Sequence, residues 1–321
     1  MRPHHHARKL LAAGVALVAT ATLLGPVPAG AGDVRAAAVW QPTPGTTWQW
    51  EIVGQVREPF LDVTMYDIDL TDAVPATTVV PVPGFGSVTW PAGENAGIVD
   101  RLHAAGKVVV CYLDTGAWES YEPDAALFPG TPGWRSGDPA TDVILRTTGW
   151  DEEYWLDIRR SQWGRFAPIL WARFDLAKSI GCDGVEPDQN NPYGNNPGPQ
   201  IPLADEKAWY LEVAAQAHAR GLSVGMKNGV EVTDDDTAAA FDWNLNEECF
   251  FYEECDDLNA FGDAGKAVFQ TEYTVDWVER NPAYANPATL AASGEFCADA
   301  RRRGYSTLVK NEVPDAVFVT C

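Results

Sequence analysis

The stretch CDGVEPDQNN, residues 182–191, holds the densest reactive chemistry in the chain. Alternate side chains of a strand share a face, so Gly184, Glu186 and Asp188 point one way while Val185 and Pro187 point the other. Two acids on one face repel, and crowding of this kind raises the pKa of at least one of them. A second acidic site, DWNLNEEC, presents Glu247 and Glu248. Strand parity groups Glu248 with the polar Asn244 and Asn246, and Glu247 with Trp243 and Leu245. On the expectation that polar residues face inward, parity favours Glu248. Hydrolysis of a glycosidic bond needs two carboxyl groups flanking that bond, one to protonate the leaving oxygen and one to attack or to activate water. Lys227, between the two acidic stretches, is placed to hold a carboxylate ionised or to bond a sugar hydroxyl.

Other chemistries find little support. Three of the five histidines lie in residues 1–31, which leaves His103 and His218, both in helix-like stretches. Neither a histidine metal site nor a Ser-His-Asp triad is indicated, and the cysteine spacing is not that of a zinc site. Carboxylates must therefore carry the reaction, with no metal and no cofactor implied. The formal charge of −22 becomes about −25 once a leader carrying Arg2, Arg8 and Lys9 and no acid is removed. Such a surface repels nucleic acid and attracts polycations.

The elements that must position these groups alternate along the chain. Strand-like runs fall at residues 48–53, 63–68, 107–113, 184–188, 222–226, 243–247, 266–271 and 305–309. Helix-like segments between them stop at Gly106, Gly181, Gly221 and Gly304, each followed at once by the next strand. Eight such units in about 280 residues predict a single-domain α/β fold, the (β/α)₈ TIM-type barrel. Polar residues collect where the strands run out: Asp67 and Asp69, Asp114, Glu186 and Asp188, Lys227 and Asn228, Glu247 and Glu248, Glu272 and Tyr273, Lys310 and Asn311. A barrel gathers those ends on one catalytic face. The 13 Trp and 10 Tyr are read mostly as core, with some rings available to line a sugar cleft.

Residues 1–31 read as a signal peptide, with a positive start, an apolar run at 10–24 and small residues at 29–31. Residues 32–46 form a short linker, and residues 47–321 the catalytic domain. The mature chain is expected to be secreted, soluble and monomeric, without a membrane span. Export makes disulfides possible. Cys249 and Cys255 flank a short acidic loop, and Cys297 and Cys321 would tie the last helix to the C-terminal segment. Cys111 and Cys182, at neighbouring strands, either pair or stay as buried thiols.

Eight blocks in order, TTWQWEI, MYDIDL, GKVVVCYLDTGAWESYEPD, YWLDIR, GCDGVEPDQNN, GLSVGMKN, FDWNLNEECFFYEEC and GKAVFQTEY, resemble glycoside hydrolase family 114, the secreted endo-α-1,4-polygalactosaminidases. The resemblance implies a barrel and an endo-acting hydrolase of a partly de-acetylated galactosamine polymer, whose cationic units suit an anionic cleft. It places the catalytic aspartate at Asp188 and the catalytic glutamate at Glu247, against the parity reading. Asp67, Tyr112, Lys227 and Tyr273 match other cleft positions, with Glu186, Glu248 and Glu272 as further substrate-binding candidates. By analogy with barrel glycosidases acting on α-galactosides, Asp188 is the expected nucleophile, kept ionised by Tyr112 and Lys227. Glu247 is the expected acid and base, kept protonated by Trp243, Phe250 and Phe251. Two departures stand out. Asn190 and Asn191 occupy a place where relatives tend to carry an aspartate, and Glu51 replaces a common glutamine. A silent polysaccharide-binding barrel and a glycosidase of neutral α-galactosides are the alternatives.

Overall fold

A computed structural model describes residues 39–130 and 142–321. The signal peptide expected at residues 1–31, and the linker up to residue 38, lie outside the described residues. Eight strands run parallel in sequence order: β1 (Trp48–Glu51), β2 (Met65–Asp69), β3 (Val108–Asp114), β4 (Gly184–Asp188), β5 (Ser223–Lys227), β6 (Trp243–Glu247), β7 (Val268–Tyr273) and β8 (Ser306–Lys310). These are the eight strands expected from the sequence, displaced by no more than two residues at either end. Helices α1 (Ile98–Ala104), α2 (Ala167–Ile180), α3 (Leu203–His218), α4 (Asp235–Ala240), α5 (Asn259–Asp263) and α6 (Cys297–Arg303) are among those joining them. Gly181 ends α2 with φ near 98°, a left-handed cap that costs a residue without Cβ little. The barrel is an α/β fold of the TIM type.

The seam between β8 and β1 is filled by the C-terminal segment. β9 (Val319–Thr320) pairs antiparallel with β8. The Trp48 indole donates to the Ser306 carbonyl (2.8 Å), and Pro314 accepts from the Ile52 amide (3.0 Å).

Two apolar layers form the core. Trp48, Trp50, Met65, Val110, Trp243, Leu245, Phe269 and Leu308 pack together inside the barrel. A larger set from the outer strand faces packs against the helices. Gly225 leaves room for the Trp243 ring, because a Cβ there would lie 2.2 Å from it. Two excursions were not anticipated. A hairpin, Thr78–Val82 with Gly86–Trp90, follows β2. A three-stranded sheet of Ala117–Glu119, Glu153–Leu156 and Ile144–Thr147 follows β3. Three disulfides, Cys111–Cys182, Cys249–Cys255 and Cys297–Cys321, use every cysteine, so Cys111 and Cys182 pair. Among the described residues no helix is long and apolar enough to cross a membrane.

Candidate active site

The tips of β4, β5 and β6 converge on one ammonium group. Lys227 Nζ, almost fully buried, lies 2.7 Å from Glu186, 3.0 Å from Asp188 and 3.5 Å from Glu247. It also sits 4.5 Å above the Trp50 ring, a cation–π contact. Burial would lower the Lys227 pKa, but the carboxylates of Asp188, Glu186 and Glu247 outweigh it and hold that pKa well above its ordinary value. The lysine is a fixed positive charge.

Each acid around it has a different setting. Glu186 is completely buried, accepts the Trp50 indole N–H (2.9 Å), and is pushed up to about 7 by burial against the opposing pull of Lys227. Asp67 lies behind it with no well-aligned partner for either oxygen. Burial and the adjacent Glu186 raise its pKa well above its ordinary value. Asp188 accepts from Lys227, from the Tyr112 hydroxyl (3.2 Å) and from the Gln189 amide (2.6 Å). Glu247 accepts from Asn228 (2.9 Å) and from the Tyr273 hydroxyl. Asn228 also accepts the Glu247 backbone N–H (2.9 Å), fixing that carboxylate from both ends. Of the acids that touch Lys227, Asp188 and Glu247 alone reach solvent, with side chains 13% and 26% exposed against 0% for Glu186. The shared ammonium limits their nearest oxygens to a separation of at most about 6.5 Å.

The setting of Glu247 differs from expectation. Burial would raise its pKa, but Lys227, Tyr273 and Asn228 prevail and lower it. The aromatic residues expected around it are turned elsewhere: Trp243 fills the barrel, and Phe250 stacks on Phe296. Parity at β6 also runs opposite to the polarity argument. Trp243 and Leu245 face the interior with Glu247, while Asn244 bonds the Met226 carbonyl (2.9 Å) at the strand edge. Glu248 follows in a left-handed conformation, φ 62°, and its pKa rises to about 9 through burial and the neighbouring Asp276. It stands beside the site but makes no contact with Lys227.

Glu272 is set apart. It lies on the face of β7 opposite Tyr273, fully buried, and accepts from the Phe250 amide (3.0 Å), Gln270 (2.6 Å) and the Trp277 indole (2.7 Å). Those bonds anchor the loop closed by Cys249–Cys255. The sequence had grouped Glu272 with Tyr273, although adjacent strand residues face opposite ways.

The two departures from the family pattern are inward. Asn190 donates to the Pro187 carbonyl (2.8 Å) and accepts from Thr115 (2.9 Å) and Trp209 (2.8 Å). An aspartate could not make the first bond. Glu51 is buried beside Gln49, and burial raises its pKa. Around Asp188 the backbone is tightly held: Thr115 and Gly116 amides both donate to its carbonyl (3.1 Å each). A Cβ at Gly116 would meet the Gln189 carbonyl at 1.7 Å.

Glu119, Asp124, Glu153 and Arg173 escaped the sequence reading. Tyr112 also bonds Asp114 (3.1 Å), and Asp114 belongs to a buried acid group with Glu119 and Glu153. Arg173 on α2 bonds Asp124 through two nitrogens (2.8 and 2.9 Å) and Glu119 through a third (3.0 Å). A charge on the buried stripe of Ile169, Leu170, Phe174 and Ala177 was the available signal. His103 and His218 make outer hydrogen bonds with Asp183 and Asp242 (2.9 Å each).

The profile of glycoside-hydrolase family GH114 matches residues 31–321. The chain belongs to that family. It is a glycoside hydrolase. The fold is similar to Ega3 of Aspergillus fumigatus, solved in complex with galactosamine: TM-score 0.69, 27% identity, covering 88% of this chain and 98% of that one. It is also similar to the glycoside hydrolase domain of PelA from Pseudomonas aeruginosa: TM-score 0.56, 13% identity, covering 86% and 98%. No curated protein sequence matches significantly.

Proposed function

We propose that the protein is a secreted, monomeric endo-glycosidase that cleaves an α-1,4-linked, partly de-acetylated galactosamine polymer, with Asp188 and Glu247 as the two catalytic carboxylates. The observation that carries this reading is the pair itself: two solvent-reaching carboxylates held by one buried lysine on the catalytic face of the barrel. The reaction is taken as a retaining displacement, with the two carboxylates flanking one shared ammonium. The formal charge of −22 suits a substrate bearing ammonium groups. The galactosamine bound by Ega3 supports the same sugar here. Three disulfides fit an oxidising, extracellular setting.

In this mechanism Asp188, steadied by Tyr112 and Lys227, attacks the anomeric carbon. Glu247 protonates the departing oxygen and then deprotonates the water that releases the glycosyl-enzyme. Glu186 acts through Lys227, fixing its position. The lowered pKa of Glu247 favours one alternative, in which Glu247 attacks and Asp188 supplies the proton. Azide separates the two. A retained glycosyl azide from Glu247→Ala identifies Glu247 as acid and base, whereas an inverted one identifies it as the nucleophile. Incubation with purified galactosamine polymer, with products sized by mass spectrometry, tests the activity. Oligomers should appear early, and Asp188→Asn and Glu247→Gln should each lose activity by roughly a thousandfold or more while staying folded. Intact polymer after exposure to the wild-type protein refutes the reading.

A further inference from the structure

Most of the aromatic load is core, but four large rings among the described residues are exposed: Tyr121, Trp150, Tyr193 and Tyr252. All four lie in loops that follow the C-terminal ends of barrel strands, on the catalytic face. Two of them ride on the excursion between β3 and β4. Tyr121 is 61% exposed and follows the strand Ala117–Glu119. Trp150, 59% exposed, caps the hairpin formed by Ile144–Thr147 and Glu153–Leu156. Ser120 joins the two segments, its amide bonding the Glu152 carbonyl and its hydroxyl the Glu152 carboxylate (3.0 Å each).

A continuous polar path connects this surface to the reacting centre. The Tyr112 hydroxyl bonds both Asp188 and Asp114. Carboxylate oxygens of Asp114, Glu119 and Glu153 lie within 4.8 Å of one another, and Glu119 accepts the Tyr121 hydroxyl (2.7 Å). Among the described residues the acids here outnumber the bases: Asp114, Glu119 and Glu153 cluster, and the Arg173 guanidinium is committed to Asp124 and Glu119. Among the described residues, Asp114 Oδ2 and Glu153 Oε1, on side chains more than nine-tenths buried, have no hydrogen-bond partner. Asp151 and Glu152 add negative charge directly beside Trp150.

Flat apolar rings beside the exposed carboxylates of Asp151 and Glu152 match one ligand chemistry. A pyranose offers a C–H face to stack, and an amino substituent offers a cation to pair with those carboxylates. We infer that the β3–β4 excursion carries a second, non-catalytic binding site, in which Tyr121 and Trp150 stack on cationic aminosugar units distant from the bond being cut. The inference takes the identity of the sugar from the function proposed above, but the stacking surface stands independently of it. Such a site holds a long chain in place between cuts and contributes nothing to a substrate too short to reach it.

Steady-state kinetics on partly de-acetylated galactosamine polymer and on a short galactosamine oligosaccharide test this. Trp150→Ala and Tyr121→Ala should each raise KM for the polymer roughly tenfold, with kcat and the short-substrate kinetics within about twofold of wild type. Tyr121→Phe keeps the ring and should behave as wild type. Unchanged polymer KM, or equal losses on long and short substrates, overturns the inference. Both side chains are exposed, and an unchanged melting temperature excludes misfolding. Should wild type cleave no galactosamine polymer, the proposed function fails, and affinity electrophoresis then decides this site alone. Retardation by the de-acetylated polymer that the two alanine variants lose supports it. Equal retardation of wild type and variants, or of wild type by a fully N-acetylated polymer, overturns it.

Discussion

Two strand tips of this barrel end in a buried lysine, and the two lysines behave in opposite ways. Lys227, at the end of β5, faces three carboxylates, and its pKa is driven well above the ordinary value against the cost of burial. Lys310, at the end of β8, faces the carbonyls of Asp315 (2.6 Å) and Val317 (3.3 Å). Burial there outweighs the more remote charges of Asp315 and Glu51, and lowers its pKa to about 8. Carbonyl dipoles satisfy the donors of an ammonium group without repaying its desolvation, whereas full charges do both. The first lysine is the electrostatic centre of the site, and the second is a fastener in the seam between β8 and β1.

The contrast can be broken most directly at its first member. Lys227→Met should lower kcat/KM by roughly a thousandfold, because it leaves buried carboxylates without their counter-charge. The pH profile should move as well. In wild type, Glu247 holds its proton only below the ordinary glutamate range, so if it is the acid, kcat/KM on the polymer falls as pH rises through that range. Without Lys227 the descending limb should shift to higher pH. With a substrate whose leaving group needs no proton it should vanish for either protein. Lys310→Met should change kcat/KM no more than about twofold. A comparable loss at both lysines would erase the distinction.

The seam is tested next through stability. Cys297→Ser with Cys321→Ser opens a cross-link spanning 24 residues, and should cost about 3 kcal/mol, read from denaturant unfolding. Hydrolysis of short substrates should persist while the protein remains folded. Tyr273→Phe removes one hydroxyl from Glu247. It should reduce kcat/KM about tenfold and raise the same pKa, with no change in melting temperature. The smallest effect concerns Lys310 itself. A lysine whose folded pKa of about 8 lies below its unfolded value binds fewer protons when native. Stability should therefore increase as pH rises above 8, by roughly 1 kcal/mol between pH 8 and 9. Lys310→Met should lose that increment, measured by melting curves across the same range.

Strand and helix order was legible because short β-branched runs and glycine stops mark each unit locally. The two excursions were not, since neither hairpin carries a strong alternating pattern and the sheet after β3 is joined from segments far apart in sequence. Within the site, the grouping of Glu186, Asp188 and Lys227 followed from strand parity and tip position. The choice between Glu247 and Glu248 did not, because parity was read with polar residues facing inward. This barrel instead fills its interior with Trp48, Trp50, Trp243 and Leu245, so the apolar face is the inner one and Glu247 continues it. Glu272 was misgrouped for a different reason: it was placed with Tyr273 by strand-tip position alone, and adjacent residues of a strand face opposite ways. The ionised state of Glu247 depends on Asn228 and Tyr273 arriving from β5 and β7, contacts that no local pattern encodes.

The Cys111–Cys182 bridge joins positions 71 residues apart. Everything between them, including the sheet that carries Tyr121 and Trp150, is a covalent ring. A protease that cuts once inside this excursion opens the ring without releasing a fragment. The nicked protein would run as a single species until a reductant is added, with the strand bearing Tyr112 still tethered to the one bearing Asp188. Cleavage at the hairpin tip thus becomes a means of altering the excursion while the two halves of the barrel stay joined.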